Sequence, residues 1–340
     1  MSANEDIADA VTARRMRLLD FEAGAVAATL EVYDRATEAL AAELERIAKR
    51  VEAGGTISVE EARRLRARVA ALDAQIRDAR AELQAELRAN LNTVATVEAA
   101  QTAAVVGSAT ADLGVAWVAL PPPRAIATVG AAWATTLDVG LAATRATVRT
   151  EMASAFARGL GVDASVREIM RATGALRGER ERLVTLVRTE FQRTANAVAM
   201  ESYVANQDVL AGVQYLATLD SRTCPLCGPY HNRVFPINAT GPVGAPYLPR
   251  HPRCRCFYVP VTKSWEELGV QGLSFRQRQQ LDGAPSEATT FDGWLRRRPE
   301  AEQRDVLDAD WRYEAWQAGA TIASFSRDNR LLSREEYAAA

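Results

Sequence analysis

Apolar positions in the first part of the chain recur at helical spacing. Leu19, Ala23, Val26, Leu30, Tyr33, Thr37, Leu40, Leu44, Ile47 and Val51 follow in steps of four and three, which keeps one stripe on one face of a helix over 16–53. Gly54-Gly55 ends that run. Ser58 is placed to cap a second helix, with Glu61 at the capping-box position, and a second stripe follows as Leu65, Val69, Leu72, Ile76, Ala79, Leu83 and Leu87. Two long striped helices around a short glycine turn predict an antiparallel hairpin; packing of both stripes on other subunits is the alternative.

Beyond Asn90 the texture changes. Residues 91–118 lose most charge and become rich in Ala, Thr and Val, as far as Trp117, and suit close packing on a neighbour. Pro121-Pro122-Pro123 then marks a stiff junction. A second helical block is expected over 124–208, with Gly140, Gly161, Gly174 and Gly178 as candidate breaks. One apolar face there holds Val148, Met152, Ala155 and Phe156; another holds Leu183, Leu186, Val187, Phe191, Thr194, Val198 and Tyr203. Arg149-Thr150-Glu151 recurs as Arg188-Thr189-Glu190, but adjacent helical residues point different ways, so the triplet alone builds no catalytic site.

Near residue 213 the period shortens. Val213, Tyr215, Ala217 and Leu219 alternate imperfectly with Gln214, Leu216 and Thr218, as in a short strand. Asp220-Ser221-Arg222-Thr223 reads as a turn, residues 228–253 carry many Gly, Pro and Asn breaks, and Phe257-Tyr258-Val259 reads as a closing strand. The tail returns to helices: Phe291, Trp294 and Leu295 precede Pro299, then Val306, Leu307, Trp311, Tyr313 and Trp316 follow. A last helix is expected near Ser333 with Glu336 as its capping-box acid. Trp294, Trp311 and Trp316 are half of the six tryptophans, and such a concentration points to core or interface anchors. The expected fold is mainly α: a long N-terminal helical hairpin with its Ala/Thr-rich extension (1–118), a central helical domain (124–212), a small α+β metal-stapled module (213–263) and a helical C-terminal tail (264–340).

Composition narrows the classes. In 340 residues, 48% hydrophobic, 41 Lys and Arg face 43 Asp and Glu, so wholesale disorder and a generally basic nucleic-acid binder are both disfavoured. Lysine occurs only at Lys49 and Lys263. The chain has no apolar run of about 18 residues. Its acidic start at Asn4, Glu5, Asp6 and Asp9 does not read as a secretory leader.

All four cysteines fall within 33 residues, as Cys224-Pro225-Leu226-Cys227 and Cys254-Arg255-Cys256. Thiolate pairs from two turns can close a tetrahedron around zinc, which imposes no competing geometry. The expected ligands are Cys224, Cys227, Cys254 and Cys256; in an alternative set His251 replaces Cys254 or Cys256, and His231 is a more distant candidate. A redox pair is disfavoured because Gly228-Pro229 follows the first cysteines rather than a confident helix start. Catalytic zinc is disfavoured because residues 221–263 contain no Asp or Glu, leaving Asp220 and His231 as the nearest groups for a hydrolase or nuclease. That acid-free stretch carries Arg222, Arg233, Arg250, Arg253, Arg255 and Lys263, a local basic island and a candidate contact for DNA phosphates or an acidic partner. Balancing a four-thiolate centre, or pairing with acids elsewhere, would also account for it.

From about Val148 to the C-terminus the chain resembles the phage head morphogenesis proteins, the Mu F-like minor head protein family related to the SPP1 gp7-like minor capsid proteins. The resemblance rests on Arg188-Thr189-Glu190, on Asp220-Ser221-Arg222-Thr223-Cys224-Pro225-Leu226-Cys227 and on His251-Pro252-Arg253-Cys254-Arg255-Cys256. The tail adds Trp294-Leu295, Pro299, Gln303, Val306-Leu307 and Trp316. The N-terminal hairpin lies outside it. It implies a non-enzymatic minor head protein of a phage or phage-like particle, in the particle head and, during assembly, in the host cytoplasm. Implied partners are the portal protein and a major capsid or scaffolding protein. Double-stranded DNA and self-association within the particle are further options, and no membrane is implied. A DNA-binding packaging or ejection factor, or a metal-dependent nuclease or hydrolase, are the competing readings.

Overall fold

A computed structural model of the protein describes residues 3–52, 59–111, 117–127, 129, 134, 174–220, 222–264, 267, 290–328 and 330–339. Gly54-Gly55, Ser58, Gly140, Gly161, the 148–156 face and the Arg149-Thr150-Glu151 triplet lie outside the described residues. So do the side chains of the first stripe from Tyr33 to Val51 and of the second from Leu65 to Ala79. The described chain is helix-rich. Helices α1 (Ala3–Glu52) and α2 (Val59–Ala111) are followed by α3 (Pro122–Ala127) and α4 (Gly174–Ala205). A sheet of β1 (Leu210–Leu216), β2 (Val234–Asn238), β3 (Gly241–Pro242) and β4 (Phe257–Thr262) comes next. Then come α5 (Phe291–Arg296), α6 (Glu300–Leu307), α7 (Asp310–Gln317), the two-residue strands β5 (Ser326–Arg327) and β6 (Arg330–Leu331), and α8 (Arg334–Ala338). The chain divides into two compact units, one of Leu18–Val94 and Val129–Phe191, the other of Met1–Arg17, Ala95–Thr128 and Gln192–Ala340.

In the unit of 18–94 and 129–191, the buried face of α1 is Glu22, Ala25, Val26, Thr29 and Val32, with Ala23 exposed and Leu19 and Leu30 half-buried. The expected stripe is therefore turned by about one position. The reason is polar: Glu22 faces inward to Arg188 of α4 at 3.4 Å, and Thr29 satisfies its hydroxyl on the Ala25 carbonyl at 2.7 Å. Both are residues that a purely apolar pattern skips. Leu83 and Leu87 of the second stripe are buried as expected, and Leu91 and Val94 continue it. Leu183, Leu186, Val187 and Phe191 supply the buried face of α4.

In the other unit the start of α1 and the end of α2 run antiparallel. Ile7 and Val11 share a core with Val106, while Arg14 reaches back to Glu98. Helix α2 continues unbroken beyond Asn90, because Ala95, Ala99 and Thr102 are small enough to be buried at a close approach. The proline run opens a helix rather than only ending one. Pro122 and Pro123 occupy the first turn of α3, where a missing N–H costs nothing.

The sheet is antiparallel in the order β3-β2-β1-β4, with Val213 opposite Phe235 and Tyr215 opposite Tyr258. It is covered on both faces, which explains the blurred alternation of β1 and the continuous apolar run of β4. Phe257 and Val259 face Ile7, Val11 and Val106, whereas Val213, Tyr215 and Tyr258 face the cysteines. Strand β1 starts at Leu210 and stops at Leu216, short of the predicted Leu219. At Gly212 a Cβ would lie 2.4 Å from the Phe235 carbonyl oxygen, so β1 and β2 approach closely only because this position has no side chain.

Buried polar groups tie these layers together. Arg14 donates to Glu98 at 2.6 Å and to Thr102 at 3.1 Å, and Arg15 donates to Asn196 at 3.1 Å while lying 5.5 Å from the Phe257 ring centre. Asn196 in turn donates to the Cys256 carbonyl at 3.1 Å. Asn4 accepts from the amide and hydroxyl of Thr262, at 3.1 and 3.0 Å, and so joins the first turn of α1 to the end of β4.

The C-terminal segment has its own core of Phe291, Trp294, Leu295, Val306, Leu307, Trp316, Ile322 and Phe325, against which Trp311 packs half-buried. The three clustered tryptophans are thus core anchors. Trp316 also donates through its indole to Asp292 at 2.7 Å. Ser333 and Glu336 form the expected reciprocal capping box.

Candidate metal centre

Each cysteine-bearing segment is shaped first by backbone hydrogen bonds. The Asp220 turn closes with the Thr223 amide on the Asp220 carbonyl at 2.9 Å, and the next turn closes with the Cys227 and Gly228 amides on the Cys224 carbonyl, both at 3.1 Å. On the other side the Cys254 amide donates to the His251 carbonyl at 3.2 Å, with Arg253 in the left-handed region at φ 59°. The segments 224–227 and 251–254 are therefore tight turns of equal span. Packing against β1 and β4 brings them together.

The result is a compact cluster of five donors. Cys224 Sγ, Cys227 Sγ and a ring nitrogen of His251 lie mutually within 4.8 Å, as do the sulfurs of Cys227, Cys254 and Cys256. His251 Nε2 is 3.1 Å from Cys224 Sγ and 3.3 Å from Cys227 Sγ, and Cys227 Sγ is 3.9 Å from Cys254 Sγ. All four cysteines are free thiols, three of them buried. His251 Nδ1 sits 2.8 Å from the Pro252 carbonyl, which can only accept, so the proton belongs on Nδ1 and Nε2 points at the sulfurs.

The electrostatics follow from that crowding. Contact with Cys227, helped by His251, holds the Cys224 thiol down at about 5, and contact with Cys227 also holds Cys254 down. Contact with Cys224 pushes the Cys227 thiol up, and contact with Cys254 and burial push Cys256 up. The neighbouring sulfurs of Cys224 and Cys254 push the His251 imidazole up to about 10. Left to themselves, some of these sulfurs ionise only at the expense of others. A divalent cation would let the sulfurs that bind it do so together, and thiolates with or without an imidazole are donor sets that zinc favours. The Tyr215 hydroxyl, buried and without a hydrogen-bond partner, faces the same sulfurs; burial and then Cys256 and Cys227 push its pKa up. Its place on the inward face of β1 was visible in the sequence alternation, but its role was not.

The remaining expected residues fall elsewhere. The Nδ1 of His231 accepts the Ala217 amide at 3.1 Å, and His231 is not part of the cluster. Both Asp220 oxygens are gripped by Arg255, at 2.6 Å each, and Asp220 Oδ1 also accepts the Arg222 amide at 2.9 Å. The basic island therefore has an acidic partner one residue before the acid-free stretch. Arg250 donates to the Leu226 carbonyl and lies 4.4 Å from the Tyr230 ring centre, bracing the first turn. Lys263 donates to the Asp208 carbonyl at 2.6 Å. Arg222, Arg233 and Arg253 are exposed, Arg233 beside the rings of Tyr230 and Phe235.

No curated protein and no solved structure matches the chain. Residues 146–259, about a third of the sequence, match the family described as Phage Mu protein F like protein. That span contains α4, β1 to β3, the start of β4 and all five donors. Over this segment the chain is similar to the Phage Mu protein F-like family, as the cysteine and His-Pro-Arg-Cys motifs led one to expect.

Proposed function

We propose that the protein is a non-enzymatic minor head protein that binds portal or head-shell components during particle assembly, with a zinc ion as the staple of its docking module. The observation that carries this reading is that the five-donor cluster lies within the family-matched segment. Four of the five donors would hold the ion, which would supply folding free energy to the loops that carry the cysteines. The groups nearest the cluster that could serve a hydrolytic reaction are occupied, Asp220 by Arg255 and His231 by the Ala217 amide. Among the described residues, no helix is long and apolar enough to cross a membrane. The long helices α1 and α2 offer extended surfaces for contact with other head components.

The test is metal analysis of the purified protein together with co-purification of the portal protein. Wild type should carry one zinc per chain and retain the portal, and Cys224→Ser/Cys227→Ser should lose both. Metal-free wild type, or portal binding indifferent to the double substitution, would overturn the reading.

A second reading, contact with DNA, is supported by the exposure of Arg222, Arg233 and Arg253. Phosphate contacts weaken steeply with added salt, and replacing these three arginines should flatten that dependence. Binding indifferent to salt would exclude this mode.

A further inference from the structure

Five donors surround a site that needs four, and the backbone separates them. Cys224 and Cys227 flank one turn, closed by the amide of the fourth residue on the carbonyl of the first; His251 and Cys254 flank a second turn closed in the same way. Each turn thus presents its first and last side chains toward the other. Cys256 lies beyond the second turn, at the foot of β4, with its carbonyl fixed by Asn196. His251 Nε2 meets the sulfurs of the first turn, Cys224 and Cys227, at 3.1 and 3.3 Å, and Cys227 Sγ lies 3.9 Å from Cys254 Sγ of the second, so the two turns meet through Cys227. Cys256 joins only the triad with Cys227 and Cys254, on the side of the Tyr215 hydroxyl.

Resting on the metal-stapled reading above, we propose that the ion is held by Cys224, Cys227, His251 and Cys254, three sulfurs and one nitrogen, and that Cys256 stands outside the set of ligands. The symmetry of the two turns supplies the physical reason. Two pairs with the same spacing and closure offer converging donors at equal depth, whereas a Cys-x-Cys pair offers a second sulfur only from the adjoining strand. The Nδ1–H bond to the Pro252 carbonyl fixes the ring so that the Nε2 lone pair is the donor.

X-ray absorption at the zinc edge of the full-length wild-type protein is the direct test and needs no variant. Three sulfurs and one nitrogen in the first shell support the assignment; four sulfurs overturn it. In variants, Cys256→Ser should keep one zinc per chain, with chelator resistance lowered by no more than the roughly 10–100-fold typical of an outer-shell partner. His251→Ala and Cys254→Ser should lose zinc outright. Retention of zinc by His251→Ala with loss in Cys256→Ser would equally overturn it while leaving a metal staple in place. A wild-type chain that binds no zinc would instead sink the parent reading.

Discussion

The ring of Phe291 lies against Gly228, so close that a Cβ at residue 228 would meet ring carbons at 2.2 to 2.5 Å. Gly228 closes the first cysteine turn, and Phe291 opens α5 in the C-terminal core, so the two cores meet at a glycine. Gly228→Ala should force the ring aside and destabilise the fold by about 1–3 kcal/mol, the usual cost of overpacking. Chemical denaturation measures it. Combining Gly228→Ala with Phe291→Leu should recover part of the loss, because residues in contact do not act independently. Two additive losses would show that the contact does not matter.

The carboxylate of Glu98 serves both Arg14, at 2.6 Å, and Arg15, at 3.4 Å, in a fully buried setting. Burial pushes the Arg15 guanidinium pKa below its ordinary value. Glu98→Ala strands both cations and should cost about 3–5 kcal/mol, as breaking buried pairs does. Arg14→Met, which leaves Glu98 beside Arg15, should cost less. Urea midpoints of the two variants check the order, and equal losses would contradict it.

Burial holds the His231 imidazole down at about 4, against an ordinary value of 6.5, so the ring is neutral in the folded chain at neutral pH. The unfolded chain takes up the proton first as pH falls. The stability that neutral His231 contributes is therefore full above pH 6.5 and is lost progressively down to about 4. His231→Asn has no such titration. Its stability should gain on the wild type as the pH is lowered through that window, and parallel pH profiles would show that the ring is not buried in neutral form.

If the cluster holds zinc as proposed, removing it with a chelator should leave most helical circular dichroism intact while abolishing the near-ultraviolet signal of the tyrosine cluster. Tyr215 lies 5.5 Å from Tyr258 and 5.7 Å from Tyr230, all three against the cysteine core rather than in the long helices. Concerted loss of both signals would mean that the metal holds more than its own module.

Much of this was legible in the residue order. Long helices, the cysteine cluster, the tryptophan-anchored tail and the Ser333 cap all followed from spacing and capping chemistry. What escaped was polar. The buried face of α1 is displaced because Glu22 and Thr29 point inward with partners, which no apolar pattern registers. The basic island looked unpaired because its acid, Asp220, stands one residue outside the acid-free stretch and is reached only once the two segments meet. At the cysteine cluster, the Cys254-x-Cys256 spacing points to a second thiolate pair. His251 and Cys254 repeat the three-residue step of Cys224 and Cys227, and that was the signal for the second turn. Strand β1 was blurred for a different reason: with both faces covered, the inside-outside alternation that marks a strand is lost.

Asn4 and Thr262 are 258 positions apart and share two hydrogen bonds. A ribosome adding about 5–20 residues per second needs roughly 13 to 50 s to make the second after the first. Until the last strand of the sheet emerges, Asn4 therefore lacks these partners, and Ile7 and Val11 have Val105 and Val106 of α2 but not Phe257 and Val259. The contacts that close this edge of the sheet thus come late, whatever the two long helices have already built between themselves.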